Sequence, residues 1–340
     1  MAAPSASSAV THGGPAGRAP SGRVPGAAPR QPAGTVRPRR RSSLRRNRYR
    51  GRNLLVLALF LLPAVALYGW LFIGSVGQTV LYSFYDWNAV SDPVPVGLDN
   101  FTRLAADPIF GQALVNTLYM TGLLVFVQLP GAFLLAWFLY RRVRGWRFLR
   151  TVYFLPVVIS TAAVALLFGF LYEPNFGVLN ALLERVGLDD LGRDWLGDPL
   201  TAMTAVSVPL LWKEVGLMMI ILLAAMQGLP GEVLEAAEID GVNGYQRLRH
   251  IVLPLLSRAI GLCLLLCITT AFKVFDFVLL MTGGGPGNRT EITGSYLYAQ
   301  GFERFEYGYG SAVAVVLTLV VVLVVSIPRL FRLVMRRPTP

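Results

Sequence analysis

The chain has 340 residues, of which 54% are hydrophobic and 15% charged, with a formal net charge of +12. Soluble domains carry about 25% charged residues, so an ordinary water-soluble protein is excluded. The only histidines are His12 and His250 and the only cysteines Cys263 and Cys267, which leaves no set from which a histidine-based metal or catalytic centre is assembled.

Residues 1–52 are Ala, Pro, Gly, Ser and Arg without an apolar period, a composition that buries too little surface to fold alone. Twelve arginines fall between Arg18 and Arg52. No aromatic side chain interleaves them apart from Tyr49. The segment therefore reads as a disordered basic cytoplasmic tail that fixes topology and touches anionic lipid, rather than as a nucleic-acid-binding arm. The tail and the first apolar run are both too long for a cleaved signal peptide.

Six apolar segments follow within 53–331, at about 54–77, 113–140, 152–172, 201–226, 259–281 and 310–331, each long enough for the roughly 20 residues that cross a bilayer. Pro63, Pro130, Pro156 and Pro209 lie in or near them, where neighbouring helices satisfy freed carbonyls. The connections are asymmetric. The tail, 141–151, 227–258 and the chain after Pro328 carry 24 of the 31 basic residues and four acids, whereas 85–112, 173–200 and 282–309 carry five arginines and thirteen acids. The positive-inside rule makes the basic side cytoplasmic, with both termini and the short tail 332–340 on it. The outer loops hold Trp87 and Trp195, which read as interface anchors. They also hold a Gly-rich turn at 282–287 with no GK[ST] to make a phosphate loop. Cys263 and Cys267, four apart in an apolar segment, read as helix-packing residues and not as a redox pair.

Lys213, Glu214, Lys273 and Asp276 fall inside spans. Charge at that depth costs about 3 kcal/mol on insertion scales and points to pairing or function. Lys273 and Asp276, three apart, are expected on one face of one helix. Lys213 and Glu214 are adjacent, and their charges sum to zero. Two readings stay open: ion pairs that fix helix register, or a polar cavity that hydrogen-bonds a hydroxylated solute, with Trp212, Phe272 and Phe275 as stacking walls.

Between the fourth and fifth spans lies a polar island at 235–257. Glu232 to Ile239 favours a helix with an acidic first turn. Gly241 and Gly244 interrupt it, since glycine turns a chain at a helix end without steric cost. From Gly244 to Val252 a helical pattern resumes, with Tyr245, Leu248 and Val252 on one face. Pro254 marks where the next helix starts or kinks. The predicted product is a short helical hairpin at the membrane surface that presents Ala236 and Ala237 beside Glu235 and Asp240. Small side chains there allow close approach, and carboxylates suit Arg or Lys on a partner.

Glu235-Ala236-Ala237, Gly241, Ile251 and Leu253-Pro254 resemble the EAA coupling motif of ABC importer permeases, with departures at Val242, Leu248 and Ser257. Residues 60–87 and 96–101, Asn116-Thr117, the run 275–286 and residues 308–312 are similar to sugar-type permeases. The resemblance covers about 54–331 and is to the first permease subunit of maltose, glycerol-phosphate and oligosaccharide importers. It implies an all-α membrane protein: six transmembrane helices in the type I ABC importer permease architecture, with a cytoplasmic EAA coupling hairpin, in a bacterial cell membrane. It implies an ATPase-coupling role for Glu235, Ala236, Ala237, Asp240, Gly241, Ile251, Leu253 and Pro254. It places Leu210, Glu214, Leu217, Phe272, Lys273 and Asp276 along the solute path. The implied partners are a second homologous permease subunit, two cytoplasmic ABC ATPase subunits, an extracytoplasmic solute-binding protein and the lipid bilayer, with no nucleic acid. ATP and Mg act at the partner ATPase, because this chain has no GxxxxGK[ST]; no catalytic residue, metal or cofactor is assigned to it. The alternative, an ion-gradient-driven secondary transporter, calls for inverted repeats, and no internal repeat is evident. A membrane-embedded enzyme calls for a catalytic set at one depth.

Overall fold

Long apolar runs satisfy their own backbone amides within a bilayer only as helices, and helices dominate the computed structural model of the chain. The structure describes the backbone of residues 48–335 and the side chains of 56–326 except Glu238. The tails expected at 1–52 and 332–340 lie outside the described residues, apart from 48–52 and 332–335, which are helical. The chain divides into two units at Leu62 and Pro63. The first contributes only the opening of α1 (Arg48–Tyr68), and its described side chains are exposed.

The second unit contains everything after. α1 continues through a π turn at Gly69–Ile73 into α2 (Gly74–Tyr82). A minimal antiparallel ribbon, β1 (Tyr85–Asp86) and β2 (Val94–Pro95), pairs Tyr85 with Pro95. α3 (Asp99–Ala106) leads into α4 (Pro108–Leu123), a π turn at Leu124–Gln128 and α5 (Leu129–Tyr140). Next come α6 (Trp146–Val158), α7 (Thr161–Leu171), the short α8 (Val178–Arg185) and the long α9 (Ala202–Gln227). The polar island forms α10 (Gly231–Ile239), α11 (Gly244–Arg247), a π turn at Leu248–Val252 and α12 (Leu253–Leu255). α13 (Ser257–Lys273), α14 (Asp276–Met281), α15 (Thr293–Tyr298) and α16 (Tyr307–Met335) complete the chain.

Among the described residues four stretches are single helices long and apolar enough to cross a membrane: Val56–Tyr82, Pro108–Tyr140, Ala202–Gln227 and Tyr307–Ser326. Two more qualify only as bent pairs, α6 with α7 at 97° and Gly244–Leu255 with α13 at 71°. The spans expected at 152–172 and 259–281 fall on these bent pairs and are not single straight helices. The first is broken at Ile159 and Ser160, both extended in backbone. The second bends at Leu256 and breaks again at Val274, before α14.

Two of the π turns have a local cause. Pro130 and Pro254 each stand two residues beyond one. A proline inside a helix offers no N–H to the carbonyl four residues back, and its ring pushes that carbonyl aside. Those carbonyls belong to Phe126 and His250, within the widened turns.

In lipid, helices associate by close packing of small residues more than by burial of oil from water. α5 packs most extensively against α9, and its Ala132 and Ala136, four apart, are completely buried. Cys263 and Cys267 are equally buried and unbridged on α13, in the packing role the sequence suggests. α9 approaches α6 through Gly216, where a Cβ would meet the backbone carbonyl of Tyr153 and lie 3.0 Å from the Phe154 Cα.

At the end of the bundle that carries the acidic connections, Asp107 ties three helices together. Its Oδ1 caps α4 by accepting from the amides of Ile109 at 2.8 Å and Phe110 at 3.3 Å. Its Oδ2 accepts from the Tyr296 hydroxyl on α15 at 2.6 Å and the Tyr309 hydroxyl on α16 at 3.4 Å. Arg103 lies 4.0 Å from the centre of the Tyr309 ring and pairs with Glu306 at 2.7 Å. Burial opposes the Asp107 charge, but bonds from Tyr296, the two amides and Tyr309 outweigh it and hold the carboxyl below its usual range. A lowered folded value stabilises the native state fully above the unfolded aspartate value of about 3.9. That stabilisation is lost as pH falls through the folded value. Asp107→Ala removes the cap and leaves the Tyr296 and Tyr309 hydroxyls, 2.9 Å apart, with only each other, so thermal unfolding at neutral pH should show a loss of about 2 kcal/mol.

Candidate functional site

The polar island folds as a hairpin whose turn is set by backbone chemistry. α10 ends with Gly241 at φ 70°, and the Val242 amide donates to the Ala237 carbonyl at 3.1 Å. This is a Schellman closure, for which glycine in the left-handed region is the preferred residue. Asn243 then opens α11 with a reciprocal capping box. Its Oδ1 accepts from the Gln246 amide at 2.8 Å, and its own amide donates to Gln246 Oε1 at 3.2 Å. The Asn243–Gln246 pair was readable as N-x-x-Q but is not among the residues singled out from sequence. Leu234, Val252 and Leu256 fasten the hairpin to the main buried cluster.

Glu235, Ala236, Asp240, Gly241 and Pro254 are exposed, as is Ile239 at 87%. Ile251 and Leu253 are half-buried. Ala237 departs from the expected pair of presented alanines: it is buried, 5% exposed, beneath the hairpin. The accessible patch is therefore Glu235, Ala236, Ile239 and Asp240, and Ala237 serves close packing.

Within the spans the four charges take two different arrangements. Lys213 is buried on α9, with Nζ 3.2 Å from Glu214 Oε1 and 3.5 Å from the Val157 carbonyl. That carbonyl lies in the last turn of α6, where the break removes helical donors. Adjacent residues thus form an ion pair that also caps the broken span. Lys273 and Asp276 are not neighbours on one helix, contrary to the expectation from their spacing. Lys273 closes α13 and Asp276 opens α14, with Val274 extended between them. Each charge sits at the helix end of opposite partial charge, which offsets its cost without a mutual salt bridge. Among the described residues neither has an ion-pair partner.

The residues placed along the solute path separate accordingly. Phe272 and Lys273 line one cavity of about 460 Å³ together with Phe275, Tyr298 and Phe302. Glu214 is committed to Lys213, Leu217 is half-buried, and Leu210 is 2% exposed within the core. Asp276 does not line that cavity. Trp212 packs on Phe168 with ring centres 5.7 Å apart. A second cavity of about 550 Å³ lies between α7, α8 and the start of α9, lined by Phe168, Tyr172, Leu182 and Trp195 among others, and contains none of the six.

The acidic end uses several residues that carry the sequence resemblance. Asn116 Nδ2 donates to the carbonyls of Arg289 at 2.9 Å and Glu291 at 2.7 Å, holding the loop that follows the Gly-rich turn. Thr117 Oγ1 accepts from the Thr293 amide at 3.0 Å. Gly284, at φ 85°, lies where a Cβ would collide with the Glu291 carboxylate. Burial raises the pKa of that carboxyl, partly offset by the Ser295 hydroxyl, which donates to it at 2.7 Å. Asn100 donates to the carbonyls of Ser83 at 3.0 Å and Tyr85 at 2.9 Å. Gly308 allows α16 to meet the Tyr85 carbonyl directly.

Residues 128–339 match the family described as binding-protein-dependent transport system inner membrane component. The chain is 38% identical over 264 residues to the probable ABC transporter permease protein YurN of Bacillus subtilis (strain 168), covering 77% of this chain and 90% of that protein. It is 32% identical over 249 residues to the diacetylchitobiose uptake system permease protein NgcF of Streptomyces coelicolor, 70% of each chain. Among solved structures it is similar to a chain of a bacterial alginate ABC transporter in complex with an alginate pentasaccharide-bound periplasmic protein. The TM-score is 0.69 and the identity 25%, over 81% of this chain and 92% of that one.

Proposed function

The chain belongs to the binding-protein-dependent transport system inner membrane component family, and we propose from that premise that it is one permease half of an ATP-driven importer of oligosaccharides or related polyols. The observation that carries the mechanism is mechanical. The exposed acidic patch of α10 joins, through the Gly241 turn and the 71° bend at Leu256, the same span whose far end breaks at Lys273. A push on Glu235, Ala236 and Asp240 is thereby delivered along α13 to the aromatic cavity. In this reading two cytoplasmic ATPase subunits supply the push with ATP and Mg. A second permease completes the pathway, and an extracytoplasmic binding protein delivers the solute at the acidic end. Glu235, Ala236, Asp240 and Gly241 form the docking face, Ala237, Ile251, Leu253 and Pro254 hold its shape, and Phe272 and Lys273 meet the solute. The basic end faces the cytoplasm, by the charge asymmetry of the connections. The names of the relatives, which speak of diacetylchitobiose uptake and an alginate transporter, support a carbohydrate cargo.

The test is uptake of labelled oligosaccharides by cells with and without this gene. Deletion should abolish uptake, as should replacing the P-loop lysine of the partner ATPase. Collapse of the ion gradient in ATP-replete proteoliposomes should leave the rate unchanged. Uptake that follows the gradient and ignores ATP would make the chain a secondary transporter.

A further inference from the structure

We propose that the solute admitted by this chain is an acidic saccharide, whose carboxylate, sulfate or phosphate is received by Lys273. The inference rests on the carbohydrate-importer reading and narrows it to a substrate class.

The site is the wall of the 460 Å³ cavity. Lys273 is its only charged residue among the described residues, and the rings on it, from Phe272, Phe275, Tyr298 and Phe302, contribute mainly apolar surface. The two threonines on the wall have hydroxyls committed elsewhere. Thr269 donates to the carbonyls of Leu265 at 2.9 Å and Leu266 at 3.0 Å, and Thr318 donates to that of Ala314 at 2.8 Å. The ammonium itself makes no hydrogen bond or ion pair among the described residues. The end of α13 favours its charge, and the side chain, exposed on the cavity wall, keeps its three donors for a ligand.

The contrast with Lys213 is chemical. That ammonium, in the middle of α9, is closed off by Glu214 and the Val157 carbonyl. Of these two lysines, Lys273 is the one without an ion-pair partner among the described residues. A cationic solute is repelled, and a neutral sugar leaves the ammonium without a counter-charge once water is excluded. An anionic group supplies that counter-charge with charge-assisted hydrogen bonds, while the aromatic wall accepts the apolar face of the ring.

The experiment measures uptake of a uronate disaccharide, a sulfated disaccharide and a phosphorylated glycoside, each beside its neutral parent. Cells lack this gene or carry it as wild type, Lys273→Gln or Lys273→Arg at equal membrane abundance. At least one acidic probe should require the gene, fall about thirtyfold with Lys273→Gln and be largely restored by Lys273→Arg. Gene-dependent uptake of neutral parents alone overturns the proposal and leaves the importer reading standing. Equal loss of acidic and neutral probes with Lys273→Gln also overturns it, assigning Lys273 to an acid of the second permease. If no probe of either kind depends on the gene, the carbohydrate reading falls and takes the proposal with it.

Discussion

Gly216→Ala should destabilise the bundle by about 2 kcal/mol or more, and Gly216→Val by more again, with uptake falling in the same order. A Cβ at 216 meets the Tyr153 carbonyl, the Phe154 Cα at 3.0 Å and the Val157 Cγ2 at 3.1 Å. The first two belong to backbone, so no rotamer change relieves the contact; α6 as a whole must withdraw. Withdrawal also stretches Lys213 from the Val157 carbonyl, already 3.5 Å away, and leaves the Lys213–Glu214 pair within α9 without its cover from α6. Val157→Ala trims the side-chain part of the clash and should restore little. Thermal unfolding of the purified protein and uptake at matched abundance are the two readouts. A Gly216→Ala variant with wild-type values in both would show that the two helices are free to separate.

That dependence on Gly216 marks where reading the sequence stops. The runs that became α9 and α16 were legible because an unbroken apolar stretch has one backbone solution in lipid. The break at Ile159 and Ser160 was not, since an extended pair in the middle of an apolar run leaves no mark on hydropathy. The same blindness put Lys273 and Asp276 on one helix. A spacing of three predicts a shared face only if the helix continues between them, and Val274 does not continue it. Gly241 was legible because a left-handed turn selects glycine. The burial of Ala237 was not, because either alanine of the pair fits an exposed face, and Leu234 and Val252 decide which is covered. Asn116 and Thr117 carried a resemblance without a reason. The reason is a pair of carbonyls 173 and 175 residues from Asn116 and the Thr293 amide 176 residues from Thr117, separations no local pattern encodes.

Gly241→Pro should abolish uptake while leaving membrane insertion intact, and Glu235→Lys should do the same through charge alone. Gly241 adopts φ 70°, whereas proline is locked near −65°, so the chain cannot reverse between Val242 and Ala237. The closure bond from the Val242 amide at 3.1 Å is then lost, and α11 no longer meets the bend at Leu256 in the orientation that drives α13. Insertion survives because the apolar spans on either side are untouched. Glu235 is exposed, so its reversal to lysine costs the fold little and acts on whatever docks there. Loss of a well-buried interfacial charge contact corresponds to about thirtyfold or more in affinity. Co-purification of the ATPase should fall by that order in Glu235→Lys, and an acidic substitution at the contacting basic residue of the ATPase should recover it. Gly241→Ala separates shape from charge. It keeps Glu235 but strains the turn by about 1 kcal/mol, so it should weaken coupling without ending it. Full uptake by a correctly inserted Gly241→Pro, Glu235→Lys double variant would mean that the motor engages another surface of this end of the bundle, and that the bend at Leu256 is a packing feature only.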